Sequence, residues 1–271
     1  DGPRVKAGAA AQMLDELAWL GLRWEGPVAR QSTRGAAYAA ALRRLVEAGA
    51  AYPCVCSRKD VAAAASAPHA EDAAPAYGGT CRGRFASAEQ ALRQTGRPPA
   101  WRVRVDGQAI VVADRFAGER AFDLWACGGD FVVFKNDGLA AYQLAVVVDD
   151  AEAGVDRIVR GDDLLDSAAR QIHLRRLLGL APEPEYWHLP LVVGADGRRL
   201  AKRHGDTRLG RYRQAGATPQ RVLGLLGYWS GILDRRRETD LDELLDAFDI
   251  ARVPRQPVVF SEADDRFLLG R

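Results

Sequence analysis

The fold class is indicated by three consecutive segments: LAVVV at 144–148, LLDSAARQIHLRRLL at 164–178 and LPLVV at 189–193. The first and third are short, continuous apolar runs, which are typical of strands buried on both faces of a sheet. The middle segment repeats apolar side chains at helical spacing and is followed by Gly179, a common residue after a helix end. A strand, a helix and a strand in this order predict a right-handed βαβ unit in a parallel α/β sheet.

The regions on either side alternate between helical and strand-like patterns. Apolar side chains recur at helical spacing over 9–20 and 35–48, and a glycine follows each segment. The region beyond about residue 205 is also predicted to be helical. Strands are predicted from short apolar or alternating runs at 101–105, 110–112 and 131–134.

Charged residues follow the predicted strands, where parallel sheets bind ligands. Asp149 and Asp150 follow the first strand, and a basic loop that contains RRLAKRH (198–204) follows the third. Lys202 in that loop is one of only four lysines, with Lys6, Lys59 and Lys135, in a chain that otherwise uses arginine. A compact, mobile charge suits a residue that follows migrating charge on a polyphosphate. The alternative is a solvated basic loop.

A second candidate group contains Tyr142 and Arg160. An arginine beside a strand end can hold a carboxylate through two parallel hydrogen bonds. The alternative is a salt bridge within the chain, from Arg160 to Asp162 or Asp163.

Three cysteines have spacing that suits a metal. Cys54 and Cys56 form a CxC pair, and Cys81 follows 25 residues after Cys56. Zinc prefers four ligands in a tetrahedron, so a fourth is needed. Both Tyr77 and His69 are available, and on chemistry alone imidazole is the better zinc ligand. The alternative is three partly buried cysteines without a metal.

Composition excludes several classes of protein. With 38 basic and 36 acidic residues the net charge is +2, so an RNA partner must be bound by a local patch. No apolar run approaches the 18 or so residues of a membrane span, which predicts no membrane partner. Four cysteines in 271 residues are no disulfide framework, which favours a reducing compartment and a cytoplasmic location.

Taken in order, four segments resemble the class I glutamyl-tRNA synthetase family: LAWLGLRWEG (17–26), AAYQLAVVVDD (140–150), IVRGDDLLDSAARQIHL (158–174) and HLPLVVGADGRRLAKRHG (188–205). RLAKR (199–203) resembles the KMSKS loop of that family, with Lys202 as the second lysine. The resemblance implies a Rossmann-type catalytic domain of a class I aminoacyl-tRNA synthetase, with a zinc-containing insertion and a helical C-terminal extension.

A short branch of that family, which glutamylates the queuosine base of aspartate tRNA, gives the closest resemblance. YPCVCSR (52–58) and YGGTCRGR (77–84) are similar to its zinc knuckle, which implies Cys54, Cys56, Tyr77 and Cys81 as zinc ligands. The resemblance also implies that Tyr142 and Arg160 bind glutamate and that Lys202 binds ATP and acts in catalysis. The implied substrates are ATP, L-glutamate and tRNA, with aspartate tRNA favoured, and Mg²⁺ is the implied metal cofactor that accompanies ATP.

The resemblance divides the chain into four parts. Residues 1–51 correspond to the first part of the catalytic domain, 52–130 to the zinc knuckle and an acceptor-type insertion, 131–205 to the second part of the catalytic domain, and 206–271 to a stem-contact-like extension. The HIGH motif is absent, and we expect it in a strand and helix ahead of Asp1. We expect the chain to end before an anticodon-binding domain could form.

The sequence thus predicts a ligase that activates glutamate and transfers it to aspartate tRNA. Two alternatives stay open: a glutamyl-tRNA synthetase truncated at both ends, which charges glutamate tRNA, and a paralogue that binds RNA or an amino acid without catalysis. Nothing in the sequence requires a dimer, so a monomer is expected.

Overall fold

A computed structural model describes residues 6–64, 76–200 and 207–271. The described chain forms two compact units. One comprises Ala29–His188, and the other comprises residues 6–28 together with Leu189–Arg271. Each unit has its own hydrophobic core, so each is described separately below.

Helices alternate with short strands along the chain. The helices are α1 (Ala9–Trp19), α2 (Gly35–Glu47), α3 (Arg58–Ala64), α4 (Ala88–Thr95), α5 (Tyr142–Glu152), α6 (Leu165–Leu177), α7 (Leu209–Gln214), α8 (Pro219–Trp229), α9 (Leu241–Asp246) and α10 (Glu262–Leu268). The strands are β1 (Ala51–Cys54), β2 (Ala100–Val103), β3 (Ala109–Asp114), β4 (Gly118–Asp123), β5 (Phe131–Phe134), β6 (Arg157–Gly161), β7 (Glu185–Leu189), β8 (Val192–Val193) and β9 (Val258–Val259). The helices predicted at 9–20, 35–48 and 164–178 are confirmed as α1, α2 and α6.

Two sheets organise the unit formed by Ala29–His188. One has the order β1-β2-β5, and both of its pairings are antiparallel. The other has the order β4-β3-β7-β6, in which β3 pairs with β7 in parallel and with β4 as an antiparallel hairpin. The expected parallel pairing is therefore present, in a sheet that the β3–β4 hairpin makes mixed. Helix α6 connects the neighbouring strands β6 and β7, so a strand–helix–strand unit is present, but with a different first strand from the one predicted.

The strand predicted at 144–148 is wrong, because this segment lies inside α5. A continuous apolar run fits a helix that is covered on several sides as well as it fits a buried strand. Leu144, Ala145, Val147 and Val148 are all buried. The strand that precedes α6 is instead β6, and the predicted strand at 189–193 is divided between the end of β7 and β8.

Helix α6 lies at the centre of the first unit and contributes to two cores. Leu174 and Leu178 pack with residues of α2, α5 and the antiparallel sheet. Ala168, Ala169 and Ile172 pack with residues of the mixed sheet, including Val112 and Tyr186. Because apolar residues cover two sides of α6, the helix holds the two sheets together and fixes the position of β6 and β7 at either end.

The second unit is mainly helical, as predicted for the region beyond residue 205. Tyr212, Ala217, Leu225 and Leu268 form its core, and β8 pairs in parallel with β9. Helix α1 packs on α7, where the Arg213 guanidinium forms a salt bridge with Asp15 and lies 5.4 Å from the centre of the Trp19 ring. In the described ranges, every helix is too short or too polar to cross a lipid bilayer.

Candidate active site and metal centre

Arg160, a predicted ligand of a carboxylate, lies in β6, and two hydrogen bonds fix its guanidinium. Its Nε–H donates to His188 Nε2 over 3.0 Å, and Nη2 donates to the carbonyl oxygen of Leu164 over 3.3 Å. The guanidinium carbon lies 5.8 Å from the centre of the Tyr186 ring. Among the described residues, neither Asp162 nor Asp163 forms the alternative salt bridge with this arginine.

His188 is in turn held by Asp114, a residue that sequence reasoning missed. His188 Nδ1 lies 2.6 Å from Asp114 Oδ2, and both side chains are fully buried. Asp114 Oδ1 accepts the backbone N–H groups of Phe116, Ala117 and His188 over 3.0, 2.6 and 3.2 Å. Burial raises the pKa of Asp114, but the hydrogen bonds from His188 and from these backbone groups outweigh that effect and leave the pKa below its ordinary value.

Tyr142, the other predicted glutamate ligand, is the first residue of α5 and is half exposed. The residue after it ties this end of the helix to α6, because Gln143 donates to Ser167 Oγ over 3.0 Å and accepts from Gln171 Nε2 over 2.9 Å. Tyr142 therefore stands at a fixed position with its side chain open to solvent.

Asp149 and Asp150 were predicted to follow a strand. This is wrong, because both residues lie in α5. Asp149 accepts hydrogen bonds from Arg34 Nε over 2.6 Å, Gln31 Nε2 over 2.8 Å and the Tyr38 hydroxyl over 2.9 Å. These contacts attach the start of α2 to α5. They give Asp149 a structural role, since its oxygens are already occupied.

Lys202 and His69 lie outside the described residues. The residues that lead to Lys202 fold back beside β8: Leu200 N–H donates to Val192 O over 3.2 Å, and Gly194 N–H donates to Arg198 O over 2.9 Å. Gly197 supplies the positive φ of 71° that this tight turn requires.

The three cysteines come together, as their spacing predicted. The Sγ atoms of Cys54, Cys56 and Cys81 all lie within 4.8 Å of one another, and 3.5 Å separates those of Cys56 and Cys81. The Tyr77 hydroxyl is 3.3 Å from Cys54 Sγ and accepts the backbone N–H of Cys81 over 2.8 Å. Cys127 is exposed and stands apart from this cluster.

This set of donors fits a tetrahedral metal ion. Ligand sulfurs around zinc are separated by about 3.8 Å, given Zn–S bonds of about 2.3 Å, so the cysteines need only small adjustments. Burial and the neighbouring Cys54 and Cys81 sulfurs raise the pKa of Cys56 to about 12. Burial acts in the same direction on Cys81, but hydrogen bonds from the Val55 backbone and from the Cys56 and Tyr77 side chains outweigh it and lower the pKa of that thiol. Metal binding displaces the protons that such thiols still hold. Tyr77, Cys54 and Cys81 are nearly inaccessible to solvent, which is typical of a structural site.

A buried carboxylate supports the cysteine cluster from one side. Asp130, which is fully buried, accepts hydrogen bonds from the Tyr52 hydroxyl over 2.5 Å, Arg82 Nε over 2.9 Å and the backbone N–H of Val105 over 2.8 Å. Arg102 donates to the Asp130 carbonyl over 2.6 Å and places its guanidinium 3.8 Å from the centre of the Tyr77 ring. The position of Tyr77 is therefore determined by contacts on both its ring and its hydroxyl.

Comparison with known proteins agrees with this architecture. Residues 1–263 match the family model described as class I (E and Q) tRNA synthetases, catalytic domain. A glutamate tRNA ligase from Elizabethkingia meningosepticum, solved in complex with its amino acid, has the same fold, with a TM-score of 0.79 and 23% identity. The match covers 99% of this chain and 60% of the ligase, so the chain spans about three fifths of that protein.

Two relatives found by sequence have a higher identity to this chain than that ligase has. A glutamyl-Q tRNA(Asp) synthetase from Symbiobacterium thermophilum is 46% identical over 267 residues, which cover 95% of this chain and 82% of the relative. One from Nocardia farcinica is 45% identical over 263 residues, covering 97% of this chain and 81% of the relative. The chain therefore belongs to the family of class I (E and Q) tRNA synthetases, together with relatives named glutamyl-Q tRNA(Asp) synthetase.

Proposed function

We propose that this chain activates L-glutamate with ATP and transfers the glutamyl group to the queuosine base in the anticodon of aspartate tRNA. Its family is one of tRNA synthetases, and the names of the relatives at 45–46% identity identify the tRNA and the modified base. The observation that carries the proposal is the arrangement of Arg160, a cation whose orientation is fixed by His188 and the Leu164 carbonyl. Asp150 attracts it through space, but no direct salt bridge to Arg160 is present among the described residues.

The reaction has two steps. First, a carboxylate oxygen of glutamate attacks the α-phosphorus of ATP, which forms glutamyl-adenylate and releases pyrophosphate. Second, a hydroxyl group of the acceptor attacks the activated carbonyl carbon, which forms an ester, releases AMP and loses its proton to solvent or a base. Catalysis of the first step consists mainly of positioning and charge stabilisation. Mg²⁺ bound with ATP supplies part of the positive charge.

Three side chains act in the first step under this proposal. Arg160 pairs with a carboxylate of glutamate, since the guanidinium fork matches two carboxylate oxygens. Tyr142 donates a hydrogen bond to the amino acid from the start of α5. Lys202 interacts with the phosphates of ATP and stabilises the charge that develops as pyrophosphate leaves.

We further propose that zinc binds Cys54, Cys56, Cys81 and Tyr77. The support is the distance of 4.8 Å or less between the three sulfurs and the 3.3 Å contact between the Tyr77 hydroxyl and Cys54. Four protein ligands leave no open position for a reacting molecule, so the metal is structural. It joins β1 to the segment around Cys81.

The experiment that tests the proposed activity is glutamate-dependent exchange of label between pyrophosphate and ATP, measured on the full-length protein. We expect exchange with glutamate and little with aspartate or glutamine. Transfer of labelled glutamate to purified aspartate and glutamate tRNAs is then compared. No exchange would refute the enzymatic reading, and labelling of glutamate tRNA alone would replace it with a glutamyl-tRNA synthetase.

A further inference from the structure

We propose that Asp114 and His188 act as a positioning pair, in which Asp114 sets the tautomer of His188 and His188 sets the orientation of Arg160. This inference rests on the proposed function, because it takes Arg160 as the residue that binds the substrate carboxylate. Neither Asp114 nor His188 touches the substrate in this account, and both act through the arginine.

The hydrogen bonds around Asp114 define where the protons are. Its Oδ1 accepts three backbone N–H groups, which favour the ionised carboxylate, and its Oδ2 faces His188 Nδ1. A carboxylate that only accepts is in its ionised form. His188 Nδ1 therefore carries a proton and donates it to Asp114 over 2.6 Å.

The second ring nitrogen of His188, Nε2, contacts Arg160 and also reports the tautomer. Arg160 has no acceptor atoms, so the 3.0 Å contact between its Nε and His188 Nε2 requires a lone pair on the histidine. Only the neutral imidazole with its proton on Nδ1 satisfies both contacts at once. If the proton moved to Nε2, two N–H groups would face each other and the arginine would lose this contact.

These contacts leave the end of the Arg160 guanidinium, formed by Nη1 and Nη2, available for a substrate. His188 takes the Nε–H and the Leu164 carbonyl takes one Nη2 proton. In the part of the chain that the structure describes, no hydrogen bond engages Nη1. The two terminal nitrogens can then bind a carboxylate end-on through parallel hydrogen bonds. Fixing the other side of the group reduces the entropy that is lost on binding.

Three substitutions separate this role from a merely structural one. Asp114→Asn keeps an oxygen for the backbone N–H groups but places an N–H donor against His188 Nδ1, which forces the proton to Nε2. His188→Asn keeps a donor near Asp114 and loses the acceptor for Arg160. His188→Gln reaches the position of Nε2 with an amide oxygen and so keeps an acceptor for Arg160, while it loses the donor to Asp114.

We expect D114N and H188N to raise the KM for glutamate in the exchange reaction by roughly 10- to 100-fold. The KM for ATP and the melting temperature should change little, and H188Q should stay closer to the wild type than H188N does. The reverse order, with H188N mild and H188Q impaired, would show that the Asp114 contact alone matters and would overturn the proposal. Equal KM values in all four proteins, or losses that parallel unfolding, would also overturn it.

A measurement on the unliganded protein keeps this test separate from the proposed activity. The ¹⁵N chemical shifts of the His188 ring report its tautomer directly. We expect the proton on Nδ1 in the wild type and on Nε2 in D114N, whereas a wild-type ring protonated on Nε2 would refute the inference. Absence of glutamate exchange in the wild type would instead refute the proposed function.

Discussion

The Tyr77 hydroxyl accepts the backbone N–H of Cys81 over 2.8 Å, and so directs its remaining lone pair toward the sulfur cluster, with Cys54 Sγ at 3.3 Å. A phenol that both accepts from the backbone and faces three thiols is placed to act as a fourth ligand. His69, the alternative that the sequence left open, lies outside the described residues. The choice between the two is therefore open to a direct experiment.

Protein purified without chelator should contain one zinc ion per chain by elemental analysis. Cys54→Ser and Cys81→Ser should lose it, because each removes a thiolate ligand. Tyr77→Phe should weaken zinc binding at least about tenfold, since even changes in groups that support ligands cost 10- to 100-fold. Cys127→Ser is the matched control and should keep its zinc, because Cys127 is exposed and apart from the cluster. If H69A lost its zinc while Y77F kept it, the fourth ligand would be His69 and not Tyr77.

The backbone of Tyr77 makes a second test possible. Gly129 has a φ of 71°, and a Cβ atom there would lie 2.2 Å from the Tyr77 carbonyl oxygen. Gly129→Ala should therefore displace Tyr77, lower zinc affinity and destabilise the fold. Gly118 has a similar φ of 80° with nothing within 4 Å of its Cβ position.

The comparison of G129A with G118A removes the cost of positive φ, which is about 1–2 kcal/mol in each. We expect G129A to lose about 1–3 kcal/mol more in the free energy of unfolding, the usual cost of overpacking. Chemical denaturation with zinc bound measures this difference. Equal losses in the two variants would contradict the close approach of Gly129 and Tyr77.

A third prediction concerns pH and the second unit. Hydrogen bonds from Arg237 and Thr239 lower the pKa of Glu243 to about 2. Since the unfolded chain has a pKa near 4.3 at this position, the unfolded state binds more protons between the two values. The stabilising contribution of Glu243 is therefore complete above about pH 4.3 and is lost as pH falls through the folded pKa.

Titration of side-chain carboxyl carbons by NMR checks this expectation. Glu243 should titrate near pH 2 in the wild type and should shift toward its ordinary range in Arg237→Ala. Asp242→Asn, a change in the neighbouring exposed acid, should leave the Glu243 titration unchanged. A wild-type Glu243 that titrates near pH 4.3 would show that the ion pair does not form in solution.

Lys202 offers a test of the proposed ATP contact. Lys202→Ala should reduce ATP–pyrophosphate exchange by about 100-fold or more, the usual effect of removing one group that stabilises developing charge. Thermal unfolding should be nearly unchanged. Lys135→Ala is the control, because Lys135 is half exposed and forms an ion pair over 3.3 Å with Asp137, two residues along the chain. An unaltered exchange rate in K202A would refute the assigned role.

Local patterns predicted much of the fold, because helices α1, α2 and α6 depend on spacing within a single segment. The continuous apolar run in α5 was misassigned, since burial on several sides removes the periodicity that distinguishes a helix from a strand. Strand β6 was missed because its apolar run is only two residues long, Ile158 and Val159, and an arginine lies on each side of it. The four-part division of the chain stays a prediction.

The candidate site shows the same contrast. The cysteine cluster was predictable, because the residue type itself indicates metal chemistry and two of the cysteines are close in sequence. The contact between Asp114 and His188 joins residues 74 positions apart and depends on the pairing of β3 with β7. An aspartate at the end of an alternating strand gives no such signal. A histidine next to the end of the parallel partner strand, His188 in β7, gives no signal of this contact unless the pairing of the two strands is known.

Transfer of the glutamyl group to queuosine can be tested by comparing two forms of one tRNA. Labelled glutamate and ATP are supplied to the full-length protein with aspartate tRNA that carries queuosine, with the same tRNA that carries the unmodified guanine, and with glutamate tRNA. We predict stable label only on the queuosine-containing aspartate tRNA. Equal labelling of both forms of aspartate tRNA, or label at the 3′ end of glutamate tRNA, would contradict the account.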